Sequence, residues 1–194
     1  MVKRYTFNKR KKNAIILLHG LYTTSGFWLS YLNLFKDFRI ITYDINYDIL
    51  LKTQNAKSYL NEHLNDYRED DNIVATISHS FGTIISDLAF EHKQHTIFKI
   101  CPVAFSKRLD NLSFILDIEN KTSLSKEYIN EYMNLVSDFT SKYRQILNFD
   151  GDIYIPDDDG FFSYEVPESK KTEFEGDHFN IGFALSDIIA QLPN

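Results

Sequence analysis

The chain has 194 residues, enough for one well-buried core and short for two. Apolar residues at 43%, charged residues at 25%, and only 7 Gly and 4 Pro exclude a collagenous, low-complexity or largely disordered chain. A formal charge of −6 leaves no overall basic field, so neither nucleic acid nor a membrane is an expected partner; Lys9, Arg10, Lys11 and Lys12 read as the solvated lead-in to a strand.

In chain order, apolar runs at 13–18, 39–43, 72–77, 98–103, 151–155 and 172–174 read as strands. The central ones are continuously apolar, as strands covered on both faces should be. Between and after them, apolar residues recur at three- and four-residue spacing over 57–67, 82–92, 126–147 and 180–192, which predicts amphipathic helices. Strand alternating with helix predicts an α/β fold: a trimmed, mostly parallel sheet with helices on both faces. Residues 104–148 interrupt that rhythm with helical pattern and no strand, and are expected to form a small helical cap inserted in a single domain spanning 1–194.

The longest N-terminal apolar stretch, 14–18, is too short for a signal-peptide core or a membrane span, and a cytoplasmic protein is expected. The one cysteine, Cys101, excludes an intrachain disulfide framework and a Cys-rich zinc site, and reads as a buried packing residue. No metal or organic cofactor is implied.

The run Ser78-His79-Ser80-Phe81-Gly82 follows a predicted strand and opens a predicted helix. That is the outline of a nucleophile elbow, in which a serine at a strained turn projects its hydroxyl above the sheet; here Ser78 stands where the first glycine of G-x-S-x-G would be. A serine hydroxyl is a weak nucleophile at neutral pH and needs a base. His178, in Gly176-Asp177-His178-Phe179 after the last strand, is the candidate, ahead of His19, His63, His79, His92 and His95, which fall in the core, in the turn or on helices. An imidazole base needs a carboxylate to fix its tautomer. Asp159 is the first choice, Asp158 the second, and Asp157 completes the acidic turn; Asp177 is too near in sequence to reach its neighbour's ring. Upstream, His19-Gly20-Leu21-Tyr22 closes a strand where an oxyanion hole would be built, with the N–H groups of Leu21 and Phe81 as its donors.

The order Ser80, Asp159, His178, with His19-Gly20 in front, resembles the α/β-hydrolase superfamily over nearly the whole chain. It is similar in detail to small capped carboxylesterases and acyl thioesterases, in which "LLHG", "SHSFG" and "GDHF" occupy matching places. The resemblance implies Ser80 as nucleophile, His178 as base, Asp159 as acid, and Leu21 and Phe81 as oxyanion donors. The expected function is cleavage of a small apolar or aromatic ester or thioester, free or carrier-bound, through an acyl-enzyme intermediate. Tyr22, Phe27, Trp28, Phe81, Phe105, Phe161, Phe162 and Phe179 supply aromatic candidates for the site mouth, with Tyr22, Trp28, Phe105, Phe161 and Phe179 as the substrate-binding set. Residues 103–148 hold six basic and six acidic side chains, so they offer no anion clamp. The alternatives are a lyase or cyclase on the same scaffold, or a non-catalytic binding or accessory protein.

Overall fold

A strand lined with apolar side chains on both faces must be covered on both faces, and Asn13–Leu18 meets that demand: Ala14, Ile16 and Leu18 enter one core cluster, while Ile15 and Leu17 enter another. The computed structural model describes residues 2–64, 72–90, 95–108 and 125–193. Its strands are β1 (Val2–Phe7), β2 (Asn13–Leu18), β3 (Arg39–Ile45), β4 (Asn72–His79), β5 (Thr96–Ile100), β6 (Ser106–Arg108), β7 (Asp152–Pro156), β8 (Phe162–Tyr164) and β9 (Lys171–Phe174). Seven of them form one sheet in the order β1-β3-β2-β4-β5-β7-β9, parallel throughout except for β1. The pair β6 and β8 makes a separate antiparallel ribbon.

The helices are α1 (Tyr47–Lys52), α2 (Ala56–Leu64), α3 (Gly82–Phe90), α4 (Lys126–Tyr143) and α5 (Gly182–Gln191). Side chains of α1, α2, α3 and α4 share the core on one face of the sheet; α5 and the 3-10 segment Ser25–Phe35 cover the other. The layers are those of the expected α/β fold. Among the described residues, no helix is long and apolar enough to cross a membrane.

Several boundaries differ from the sequence reading. β1, an edge strand carrying Lys3 and Arg4, has too polar a pattern to register as an apolar run. β5 starts two residues early and stops at Ile100, because Cys101 turns into the left-handed region (φ 53°) and Pro102 has no N–H to give a ladder. The segment 104–148 is not strandless, since it contains β6; α4 ends at Tyr143, ahead of the expected 147. The rest of the expected cap, 109–124, and the predicted helix ends at 65–67 and 91–92 lie outside the described residues.

Candidate active site

The end of β4 shows why this stretch of sequence must turn so sharply. Ser80 sits at φ 55°, a conformation costly for a residue with a side chain. It is held by its N–H on the Ile100 carbonyl (2.9 Å) and by its own carbonyl, which accepts from the Thr83 hydroxyl (2.7 Å) and the Thr83 N–H (3.1 Å). Gly82 permits the close approach of α3 to β2: a Cβ there would lie 2.6 Å from the Leu18 carbonyl oxygen and 2.7 Å from that of His19. Ser78, in place of the first glycine, fits because its hydroxyl donates to the Phe98 carbonyl (3.0 Å) and lies 3.3 Å from the Ser86 hydroxyl. The departure from the glycine pattern is thus a polar stitch between β4, β5 and α3.

Ser80, on the turn after β4, meets side chains from loops after β7 and β9. Its Oγ lies 3.0 Å from Nε2 of His178, whose Nδ1–H donates to Oδ2 of Asp159 at 2.9 Å. Ser80, His178 and the carboxylate of Asp159 are all buried. Asp159 is the member of its acidic turn that turns inward: its Oδ1 accepts the N–H groups of Phe161 (2.9 Å) and Phe162 (3.1 Å). Burial pushes its carboxyl up, but the hydrogen bond and charge of His178, the Tyr164 hydroxyl and the Phe161 N–H outweigh that and hold it below the usual carboxylate range. Asp157 is spent on the Gly176 N–H (3.0 Å) and Asp158 is exposed. Asp177 accepts from the N–H groups of Phe179 (2.7 Å) and Asn180 (2.8 Å), shaping the loop that carries His178.

The junction after β2 packs directly on this group. A Cβ on Gly20 would come within 2.8 Å of Ser80 Cβ and 3.2 Å of its Oγ. The Gly20 carbonyl is pinned by His19 Nδ1–H (2.8 Å) and the Thr23 hydroxyl (2.9 Å), while His19 Nε2 accepts from Ile45 N–H (3.1 Å). In a trans peptide the N–H points opposite to the C=O, so pinning the Gly20 carbonyl aims the Leu21 N–H, and pinning the Ser80 carbonyl aims the Phe81 N–H. Tyr22, at φ 57°, completes the turn.

His79 does more than face away from Ser80. Its ring stacks on Phe27 (4.6 Å between centroids) and its Nε2–H donates to the backbone carbonyl of His178 (2.6 Å), tethering the loop of the neighbouring imidazole. Burial drives its pKa down to about 3, so the ring is neutral.

The aromatic candidates divide. Phe161, Phe162 and Phe179 surround the His178 ring at 6.1, 5.0 and 5.1 Å, and Tyr22 lines a cavity of about 490 Å³ with Asn46, Tyr47, Tyr128 and Tyr132. Trp28 does not join them: it is fully buried in the core beneath the sheet, beside Phe27 and Phe35. Phe81 is likewise buried, its ring against Tyr47 and Phe139, so only its backbone can serve the site. Phe105 packs on Phe149 (4.1 Å) at the base of the β6–β8 ribbon. Sequence reasoning missed Tyr164, whose hydroxyl donates to Asp159 Oδ2 and lies 3.3 Å from His178 Nδ1.

No family model and no curated protein matches the chain. Solved structures do. The thioesterase domain from the curacin biosynthetic pathway superposes with a TM-score of 0.61 at 10% identity, covering 98% of this chain and 95% of that one. A carboxylesterase of the ammonia-oxidizing thaumarchaeon Nitrososphaera gargenis gives 0.57 at 15% identity, with 97% and 92% covered. Epoxide hydrolase A from Mycobacterium thermoresistibile gives 0.58 at 10% identity, with 99% and 95% covered. Three reactions on one architecture leave the chemistry to be read from the side chains themselves.

Proposed function

We propose that this chain, whose fold is that of the α/β-hydrolases, is a serine hydrolase that cleaves a carboxylic ester or thioester through an acyl-enzyme. The observation that carries the reading is the unbroken hydrogen-bonded line from the Ser80 hydroxyl through the His178 imidazole to Asp159, at 3.0 and 2.9 Å. Ser80 Oγ attacks the carbonyl carbon as His178 Nε2 takes its proton, and Asp159 stabilises the imidazolium that forms. The tetrahedral oxyanion is received by the N–H groups of Leu21 and Phe81, each donor contributing on the order of 10²- to 10³-fold in rate. His178 then returns the proton to the departing alcohol or thiol. In the second half it draws a proton from water, whose oxygen attacks the acyl carbon, and then passes that proton to Ser80 Oγ as the acyl C–O bond breaks, releasing the acid and restoring the serine.

The rings of Phe161, Phe162 and Phe179 beside His178 suit an apolar acyl or aromatic group. Tyr22, the residue after Leu21, walls a cavity with Tyr47 and Tyr132, and we assign that cavity to the group on the other side of the scissile bond. The substrate, free or carrier-bound, is read as a small molecule. The single, fully buried cysteine fits action in the cytoplasm.

A fluorophosphonate probe should label the wild type and leave Ser80→Ala unlabelled, and a chain-length panel of p-nitrophenyl esters and acyl thioesters should be turned over only by the wild type. Absence of both labelling and turnover in the wild type would sink the reading.

A further inference from the structure

Tyr164 ends β8, five residues beyond Asp159, and is placed by the pairing of that strand with β6, where it stands opposite Ser106. Its phenol reaches back to the acidic turn. The carboxylate of Asp159 therefore collects four donors: Oδ1 takes the N–H groups of Phe161 and Phe162, and Oδ2 takes both His178 Nδ1–H and the Tyr164 hydroxyl. The phenol oxygen stands 3.3 Å from Nδ1, so two donors crowd one carboxylate oxygen.

A carboxylate that orients a base faces two requirements. It must hold the imidazole in one tautomer and stabilise the imidazolium, and it must not bind that cation so firmly that the proton is not passed on. A hydroxyl donating to a carboxylate makes one of the stronger hydrogen bonds available, and the charge it takes up is withdrawn from the second donor on the same oxygen. Burial, followed by the charges of Cys101 and Asp159, pushes the phenol's pKa far up, so it remains a donor across any working pH.

We propose that Tyr164 is a positioning residue of the site, whose hydroxyl clamps Asp159 and shares its charge with His178, so that the imidazole is oriented without being over-stabilised as a cation. The titratable groups facing His178 are Asp159 and Tyr164 on Nδ1, Ser80 on Nε2, His79 at 5.2 Å between rings, and Cys101, whose sulfur lies within 4.8 Å of a ring nitrogen of His178 and of a carboxylate oxygen of Asp159. Asp177 is turned to its own loop's N–H groups. Tyr164 is the only one of these that can be stripped of its hydrogen bond to Asp159 by removing a single oxygen.

The part of the proposal that concerns rate rests on the hydrolase reading; the part that concerns protonation does not. The experiment is Tyr164→Phe, with the His178 ring titrated by ¹⁵N NMR and kcat/KM followed against pH on an ester the wild type cleaves. Without the phenol, Asp159 gives all its charge on Oδ2 to the imidazolium. The protonation midpoint of the ring and the acid limb of the profile should then both move up by about half a pH unit or more, and kcat should fall about tenfold with KM unchanged. Replacement of Tyr164 by 3-fluorotyrosine, a stronger donor of nearly the same shape, should move the midpoint down. Superimposable titrations of wild type and both variants, or shifts of the opposite sign, would overturn the proposal. Failure of the wild type to cleave any ester would overturn the hydrolase reading alone, because the NMR titration needs no turnover.

Discussion

Two buried acid–base pairs pack against this sheet, and they are put to different uses. Asp87 of α3 meets Lys99 of β5 at 2.6 Å, with both side chains buried, and Lys99 Nζ is closed off by the Asn148 carbonyl (2.8 Å) and side-chain oxygen (3.2 Å). Asp159 meets His178 at 2.9 Å, but the far nitrogen of that ring points at a hydroxyl and goes no further into the protein. In the first pair each polar atom finds a fixed partner, and the result is a brace between α3, β5 and the chain leading into β7. The second pair ends on a hydroxyl, which can give up its proton along that hydrogen bond. Burial alone does not distinguish the two pairs; what distinguishes them is that one ends on fixed backbone and amide oxygens and the other on a serine hydroxyl.

The comparison breaks most sharply at Ser80. In Ser80→Ala, kcat/KM should fall by about 10⁴-fold or more while the melting temperature stays at the wild-type value, read by ester turnover and calorimetry on the same preparation. Asp159→Asn should cost about 10³-fold in kcat by allowing the wrong imidazole tautomer, again with little change in melting. Wild-type activity in that variant would move the acid to Asp158 or Asp157.

The brace should respond the other way. Lys99→Met strands Asp87 and should destabilise the fold by about 3 kcal/mol in urea titrations at pH 7.5, and the double variant Asp87→Leu/Lys99→Met should recover much of that. Burial already lifts Asp87 to about 6, more than Lys99 pulls it down. A raised carboxyl contributes stability that is present below the unfolded value and lost as pH rises through the folded one, so the cost of Lys99→Met should shrink toward pH 5. An equal cost at both pH values would refute the stranded charge.

The smallest effect belongs to His79. Its pKa is depressed to about 3, so its contribution is complete above the unfolded value near 6.5 and is lost as pH falls below it. Between pH 7.5 and 5 that amounts to about 2 kcal/mol, with buried His19 acting in the same sense. His79→Gln, which cannot titrate, should narrow the difference in unfolding free energy between the two pH values.

Much of this is legible in the sequence alone. The continuous apolar runs of β2, β3 and β4 mark strands covered on both sides, and the small residues around Ser80 mark a turn that must be tight. The Ser, Asp and His positions each follow the carboxyl end of a strand, and it is the loops after β4, β7 and β9 that bring them together. The aromatic residues were less readable, because a ring is equally at home in a core and in a pocket: Trp28 and Phe81 went inward, and Phe161 and Phe179 stayed beside His178. Tyr164 was hidden for a different reason. Its contact with Asp159 depends on the pairing of three-residue strands that are distant in sequence, and strands so short leave almost no periodicity. Lys99 is a lone cation inside the apolar run Ile97-Phe98-Lys99-Ile100, a pattern that calls for a buried partner.

The hydrogen bond from His79 reaches the main chain of residue 178, while the two rings lie 5.2 Å apart. The loop is thereby moored by one set of partners and the imidazole by another, Asp159 at Nδ1 and Ser80 at Nε2, so a substitution at residue 79 should loosen the loop without removing either contact of the ring.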